Sequence, residues 1–397
     1  MIRGYLLWLH RWAGLLMAGF LVIEGVTGSL LAFNQEIQEW LTPQLFVSPP
    51  PGAKPLDLAT LAERTEALVP HARPAYMTVG NRRVDVRLTP RLDPATGKPY
   101  DVHVEQLVLN PWTGEELGRS LSCNCVGGQD NFMAFIYNLH VSLALGNGGA
   151  LVLGIVALVW TVDCFVGFYL TLPASVTGFF NRWRHAWIVK WRAAPIRVNF
   201  DLHRATGLWL WPLLFIFAWS SVMFNLSPVY EKVTGTLFAY QSPEDEGTSI
   251  PKHWNDSPRL DWHQAQTIGG RLTSELAARR GFTVTRSIGI GYQPEYGAYL
   301  YGVQSSLDVE GRPGWQGPGV WLDGDTGKPI QIFVPTGEHA GNTISAWLRG
   351  LHFADVHDNL AYRIFVGVLG IAIVILSVTG IYIWWRKRPA KRQLITT

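Results

Sequence analysis

The sequence predicts a membrane protein: four transmembrane α-helices with two outer α+β domains, arranged as an internal duplication. Three observations carry this expectation. Apolar residues make up 48% of the 397 residues and charged residues only 16%, a balance skewed away from soluble domains. Four apolar runs reach the roughly 20 residues that a bilayer core requires. Leu-His-Arg occurs twice, at Leu9 and at Leu202, each time at the mouth of an apolar run.

The first run, Trp12 to Phe33, is longer than the apolar region of a signal peptide and ends in bulky Leu31 and Phe33 without a small-residue cleavage site. It is expected to stay in the membrane as part of a helix over 8–33. Residues 34–131 form the first outer domain, where "LDLATLAERTEALV" has helical spacing and "LVLNPWTGEEL" reads as strand, turn, strand. Residues 132–172 supply an outer entry helix and the second span, Ala150 to Leu172, with "GNGG" at 146–149 leaving a break after His140 open. A basic loop, 173–202, leads to the third span within 203–226. The second outer domain, 227–342, repeats the pattern with "LDWHQAQTIGGRLTSELAA" and "VWLDGDTGKPI", the latter offset by 213 residues from its counterpart. Residues 343–385 hold another entry helix and the fourth span, Ile364 to Trp385, and 386–397 form a basic tail.

Lys and Arg set the expected orientation. Arg182, Arg184, Lys190, Arg192, Arg197 and Arg204 crowd between the second and third spans, and the tail reads "RKRPAKR". Both regions, and both termini, are expected in the cytoplasm, with the two long connections outside. This basicity is topological and gives no argument for nucleic-acid binding. Cys164 reads as a packing residue in the second span. Cys123 and Cys125, in "LSCNCVGG", are expected outside, where a bridge across one residue would be strained.

The motifs "LHRWAGL", "VTGSLLAF", "LNPWTGEELG", "NLHVSLALG" and "SVTGIYIWW", in that order along the chain, resemble the PepSY-associated transmembrane family. Within it, the sequence is similar to inner-membrane siderophore-iron reductases of the FoxB type. The third span departs from the pattern, with "WSSVMFN" where the first has "EGVTGSLLAF". The resemblance implies PepSY-like periplasmic domains, a bacterial inner-membrane location, haem and the reduction of ferric siderophore iron.

Four histidines carry the candidate chemistry. Neutral imidazole is a good ligand for iron, and a b-type haem takes one on each face at a common depth. His10 and His203 both open spans from the expected cytoplasmic side; His140 and His352, 212 residues apart, both precede spans entered from outside. The expected count is therefore two bis-histidine haem b groups. His357, five residues past His352 and so about 500° around a helix, is the second choice at the outer site. Arg11 and Arg204 follow the inner histidines and are candidates for haem propionates or, equally, headgroup anchors. Glu24 and Asp163 are the only acids deep within spans, where a charge is costly; they are candidates for proton uptake or for a hydrogen bond to a ligating imidazole, with interhelical bonding as the plainer alternative.

About 30 loop residues and a short tail on the expected cytoplasmic side leave no room for a nucleotide or flavin domain. The electron donor is then a separate cytoplasmic reductase or the quinone pool. Two other classes stay open: a non-enzymatic regulator binding a peptidase or another outer protein, and a transporter of iron or siderophore. The latter is disfavoured by four spans without a break near the midplane other than at Pro212.

Overall fold

Among the described residues, three helices are long and apolar enough to cross a bilayer: α1 (Ile2–Leu31), α5 (Gly146–Thr171) and α12 (Leu360–Arg386). A fourth apolar segment is a bent pair, α7 (Pro195–Trp209) and α8 (Trp211–Asn225), whose axes turn by 68° at Leu210. The expected third span is therefore not one helix from 203 to 226. Pro212 marks the break: it lacks the N–H that would bond back to Leu208 and its ring crowds that carbonyl. The computed structural model describes residues 1–120, 132–241, 253–312 and 317–387. Cys123 and Cys125, and the tail beyond Lys387, lie outside the described residues.

The helices pack through small residues. A Cβ built on Gly25 would lie 2.6 Å from the carbonyl oxygen of Gly370, and one on Gly370 would lie 2.5 Å from that of Gly25, so α1 and α12 touch backbone to backbone. Ser29 ties the same contact by donating to Gly367 O at 2.9 Å. Met17, Leu21, Val156, Cys164, Leu214, Leu369 and Ile373 fill the space between the helices, which gives Cys164 the packing role expected of it.

Both short entry helices end just after an expected ligand. Helix α4 (Phe132–Ser142) stops two residues beyond His140, and the chain passes through Leu143, Ala144 and Gly146 at positive φ before α5 begins. The break anticipated at "GNGG" is present. Likewise α11 (Ala340–His352) ends on the histidine and is followed by Ala354, His357 and Asp358 at positive φ. Left-handed backbone costs a non-glycine residue roughly 1–2 kcal/mol, and here it gathers at the two corners beside the outer histidines.

Strands from the two long connections, 34–131 and 227–342, join in one sheet. Strands β1 (Ala72–Val79), β2 (Val84–Pro90), β3 (Gln106–Leu109) and β4 (Glu116–Ser120) come from the first, and β5 (Val284–Gln293), β6 (Ala298–Ser305), β7 (Gly319–Asp323) and β8 (Pro329–Phe333) from the second. Their order is β4-β3-β2-β1-β5-β6-β7-β8, antiparallel throughout, and the seam is the β1–β5 pair, Met77 opposite Ile290 and Thr78 opposite Gly289. Glycine permits this approach: a Cβ on Gly291 would stand 2.7 Å from Tyr76 Cα, and one on Gly289 2.5 Å from Met77 O. The predicted Thr-Gly turns close the β3–β4 and β7–β8 hairpins, with Gly114 and Gly327 at positive φ.

Two helices cover one sheet face, α3 (Leu58–Leu68) and α10 (Trp262–Arg280), each capped by an aspartate, Asp57 and Asp261, that accepts from the third helical N–H. They share one core: Leu61, Met77, Val86, Leu109, Ile290, Tyr301 and Leu322 belong to a single buried cluster spanning both strand sets. The opposite sheet face, carrying Thr78, Asp85, Arg286 and Gln304, looks onto the helical bundle. Short helices α2 (Asn34–Leu41), α6 (Phe179–Trp183) and α9 (Ser227–Leu237) complete the connections.

Candidate functional site

The four singled-out histidines meet two by two. The rings of His10 on α1 and His203 on α7 have centroids 6.3 Å apart with planes at 58°. Those of His140 on α4 and His352 on α11 are 6.1 Å apart at 62°. His140 lies beside Thr27, which is 17 residues beyond His10 on α1, so the pairs are separated by about 25 Å along that helix. That distance is close to the hydrocarbon thickness of a bilayer, roughly 30 Å, and puts one pair near each face.

Every one of these rings has its Nδ1 held by a neighbouring helix. His10 Nδ1 meets both carboxylate oxygens of Asp163, at 2.9 and 3.0 Å. His203 Nδ1 lies 3.0 Å from Leu376 O and 3.1 Å from Thr379 Oγ1. His140 Nδ1 lies 2.8 Å from Thr27 Oγ1 and 3.0 Å from Glu24 Oε2, and His352 Nδ1 lies 2.7 Å from Ser220 Oγ. A carbonyl or carboxylate acceptor at Nδ1 fixes the tautomer that carries its proton there, which leaves Nε2 with a free lone pair. Among the described residues no Nε2 of these four makes a hydrogen bond.

Glycines let the rings pack close against the neighbouring helices. A Cβ on Gly167 would come 3.4 Å from His10 Cε1, one on Gly380 3.1 Å from His203 Cε1, and one on Gly28 3.2 Å from His140 Cε1. His352 is flanked instead by Phe217 and Phe224, each with its ring centroid 5.1 Å away. Glu24 and Asp163 thus sit against imidazoles, one at each pair, and the second oxygen of Glu24, Oε1, is buried without a hydrogen-bond partner.

Other expected residues fall elsewhere. His357 is not on a helix with His352: it lies exposed in the left-handed turn after α11, its ring 6.4 Å from that of Trp347, and does not join the His140–His352 pair. Helical geometry was the wrong premise, because α11 ends at His352. Arg11 is exposed on α1 and reaches neither histidine pair. Arg204 pairs with Asp201 at 2.9 Å and donates to His185 O at 2.7 Å, while its Nε is buried without a partner. Thr27, Ser220 and Thr379 were not singled out from the sequence. Thr27 and Ser220 stand 193 residues apart, the spacing of His10 and His203, and that coincidence was the signal available.

A cavity of 1190 Å³ runs from the outer pair up to the sheet. Its lower part is mostly apolar, between Gly25, Leu153, Ala157, Phe217 and Val366, with Glu24, His140 and His352 in its wall. Its roof is polar and holds five arginines, at positions 82, 83, 286, 312 and 349. Such a volume exceeds the roughly 300–1,000 Å³ of ordinary small-molecule pockets. Among the described residues, no group of three or more His, Cys, Asp or Glu side chains is gathered to hold a bare metal ion.

Glu310, in the roof, has an unusual acidity. Burial pushes its carboxyl up to about 7, with Asp355 adding to the shift, against the opposing pull of Arg349 at 2.9 Å and of Arg312. The folded protein then holds, between about pH 4.5 and about 7, a proton that the unfolded chain has released. Stability from this group is therefore present below about pH 4.5 and lost as pH rises through about 7, by up to roughly 3 kcal/mol. The expected result is an apparent melting temperature that falls across this window in the parent protein and falls less in Glu310→Gln; equal slopes would remove Glu310 as the cause.

The family model described as "PepSY-associated TM region" matches residues 7–387. No curated protein matches the chain.

Proposed function

Because the chain belongs to the PepSY-associated TM family, a multi-pass membrane setting is its premise, and we propose that it is a haem-containing transmembrane electron-transfer protein that reduces ferric siderophore iron. In this reading the bent α7–α8 pair counts as one of four spans, the chain is a duplicated unit in a bacterial inner membrane, and the sheet lies in the periplasm. The basic segment between α5 and α7 supports that orientation by the positive-inside rule.

The observation that carries the proposal is the pairing of four half-buried imidazoles, each with Nδ1 engaged and Nε2 open. The residues fit a haem at each pair. Two imidazoles, each about 2 Å from a metal between them, have centroids roughly 6 Å apart, the separation found at both pairs. Porphyrin nitrogens supply the remaining ligands, so two side chains suffice. Glycine at three of the four ring edges lets the imidazoles lie close against neighbouring helices, and the apolar lower cavity beside His140 and His352 leaves room for a flat group there.

When bound, haem supplies a one-electron couple. The work of the chain is to hold the imidazoles, exclude water and set basicity at Nδ1. Asp163, a carboxylate, makes His10 a more electron-rich ligand than His203, whose Nδ1 partner is a backbone carbonyl; Glu24 does the same for His140 relative to His352, which has only a hydroxyl. Each pair thus has one strong and one weak donor. A siderophore in the upper cavity would receive one electron, ferric iron becoming ferrous, with release favoured because these chelators hold ferrous iron far more weakly. Electrons enter at the His10–His203 side from a separate cytoplasmic reductase or from quinol.

An optical spectrum of the detergent-purified protein, oxidised and then dithionite-reduced, with haem quantified per chain, tests this directly. Sharp reduced bands of six-coordinate haem b, at about two per chain, are expected. A colourless protein from haem-replete cells would sink the redox reading and favour a regulator that binds an outer protein.

A further inference from the structure

Four of the five arginines in the cavity roof have an acidic side chain beside them, that of Arg349 being Glu310, whose carboxyl keeps its proton up to about pH 7. Arg82 pairs with Glu39, Arg83 with Asp85 at 3.0 Å, Arg312 with Asp355 at 3.4 Å and Arg349 with Glu310 at 2.9 Å. Arg286 is different. It is half-buried on β5 at the seam of the sheet, and its partners are neutral amides: Nε donates to Gln304 Oε1 at 2.9 Å and Nη1 to Asn81 Oδ1 at 3.2 Å. Among the described residues it forms no ion pair, and its Nη2 makes no hydrogen bond.

An arginine drawn out of water without a counter-charge is costly, and burial holds this guanidinium below the usual arginine range while leaving it charged at any working pH. The two amides fix the plane of the fork without neutralising it. What remains is a positioned donor edge on the wall of the cavity that also contains His140 and His352. Such an edge matches a carboxylate, which accepts two parallel N–H bonds from one guanidinium. A single water does not complete both.

We infer that the roof around Arg286 binds a carboxylate-bearing anion, and that the ferric chelate accepted by this protein is of the hydroxycarboxylate type, docked by Arg286 above the outer histidine pair. The inference rests on the proposed reductase function for the iron, and on the geometry alone for the anion. The same chemistry has a second source, the propionates of a haem held by His140 and His352, and the test separates the two.

The probes are ferric citrate and the uncharged trihydroxamate ferrichrome, titrated into the full-length protein in nanodiscs and followed by calorimetry, with haem spectra recorded on the same samples. Ferric citrate is expected to bind at least about 10-fold more tightly than ferrichrome, with affinity falling as salt rises. Arg286→Gln should weaken ferric citrate about 10- to 100-fold and leave ferrichrome unchanged. Asn81→Asp, which sets a carboxylate against Arg286 without deleting it, should produce the same selective loss and covers the case in which the first variant does not fold. Equal binding of the two chelates, or ferric citrate binding indifferent to both substitutions, overturns the inference. Loss of haem or a shifted spectrum in Arg286→Gln with ferric citrate binding intact also overturns it, and assigns the arginine to propionate. A protein without haem that still binds ferric citrate through Arg286 keeps the anion site and removes the reductase.

Discussion

Under the proposed haem ligation, replacing His352 with alanine is expected to abolish one of two six-coordinate centres and leave the other intact. The sharp reduced bands should fall to about half per chain, with either loss of haem or a broadened five-coordinate component making up the difference. The prediction follows from the separation of the pairs: about 25 Å of α1 lies between them, so removal of an outer ligand has no direct route to His10 and His203. His352 is held by one hydroxyl, from Ser220, and by the rings of Phe217 and Phe224. Ser220→Ala should therefore weaken the same centre more gently, by 10- to 100-fold in haem affinity, the usual cost of losing the partner that orients a ligand. Spectral redox titration checks both variants. Two unchanged centres in His352→Ala would remove this residue from ligation and, with it, the pairing argument at that face.

The second large effect is expected at the seam of the sheet. Gly291→Val should prevent the two strand sets from joining, because a side chain there meets backbone: the carbonyl of Ala75 and Cα of Tyr76, the latter 2.7 Å from even a bare Cβ. Backbone in mid-sheet cannot rotate aside as a flexible side chain would. The cost exceeds the roughly 1–3 kcal/mol of ordinary overpacking, since relief requires β1 and β5 to part. Limited proteolysis is the measurement: the variant should be cut within the sheet at protease levels that leave the parent whole. The histidine pairs are built by the helices, so their spectra should survive better than the sheet does. Resistance equal to the parent would mean that the seam is not a tight junction.

How much of this was readable in advance depends on how locally each feature is encoded. The histidine pairs were legible because both members of a pair carry the same short motif and enter the bundle from the same side, which sorts them by depth without any knowledge of packing. The corner after His140 was legible as a possibility, since "GNGG" advertises it. The corner after His352 carries no such glycine run, and the left-handed turn through Ala354, His357 and Asp358 is imposed by tertiary contacts such as the bond from His357 N–H to Val309 O at 3.0 Å. That is why extending a helix to His357 failed. The bend at Leu210 was only half visible: Pro212 marks it, but proline in an apolar run signals a kink, a start or nothing, and the 68° turn depends on what α7 packs against. The single sheet was not legible at all, because strand partners are chosen across more than 200 residues by shape. The arginine roof was hidden for a related reason. Its members come from the β1–β2 turn, from β5, from the loop after β6 and from α11, and nothing in any of those segments alone refers to the others.

The Gly289 and Gly291 seam has a further implication for how copies of this chain treat one another. The two edges that meet there are unlike: β5 contributes the bare backbone of two glycines, while β1 contributes Ala75, Tyr76 and Met77, with the Tyr76 hydroxyl lying over Gly289. A β1 edge brought against another β1 edge would set bulky residues against each other, and two β5 edges would leave a gap. The joint is a plug and socket, not a self-complementary surface. Recombination between molecules through this edge is thereby discouraged, and each nascent chain is directed to close upon itself in the crowded plane of a membrane.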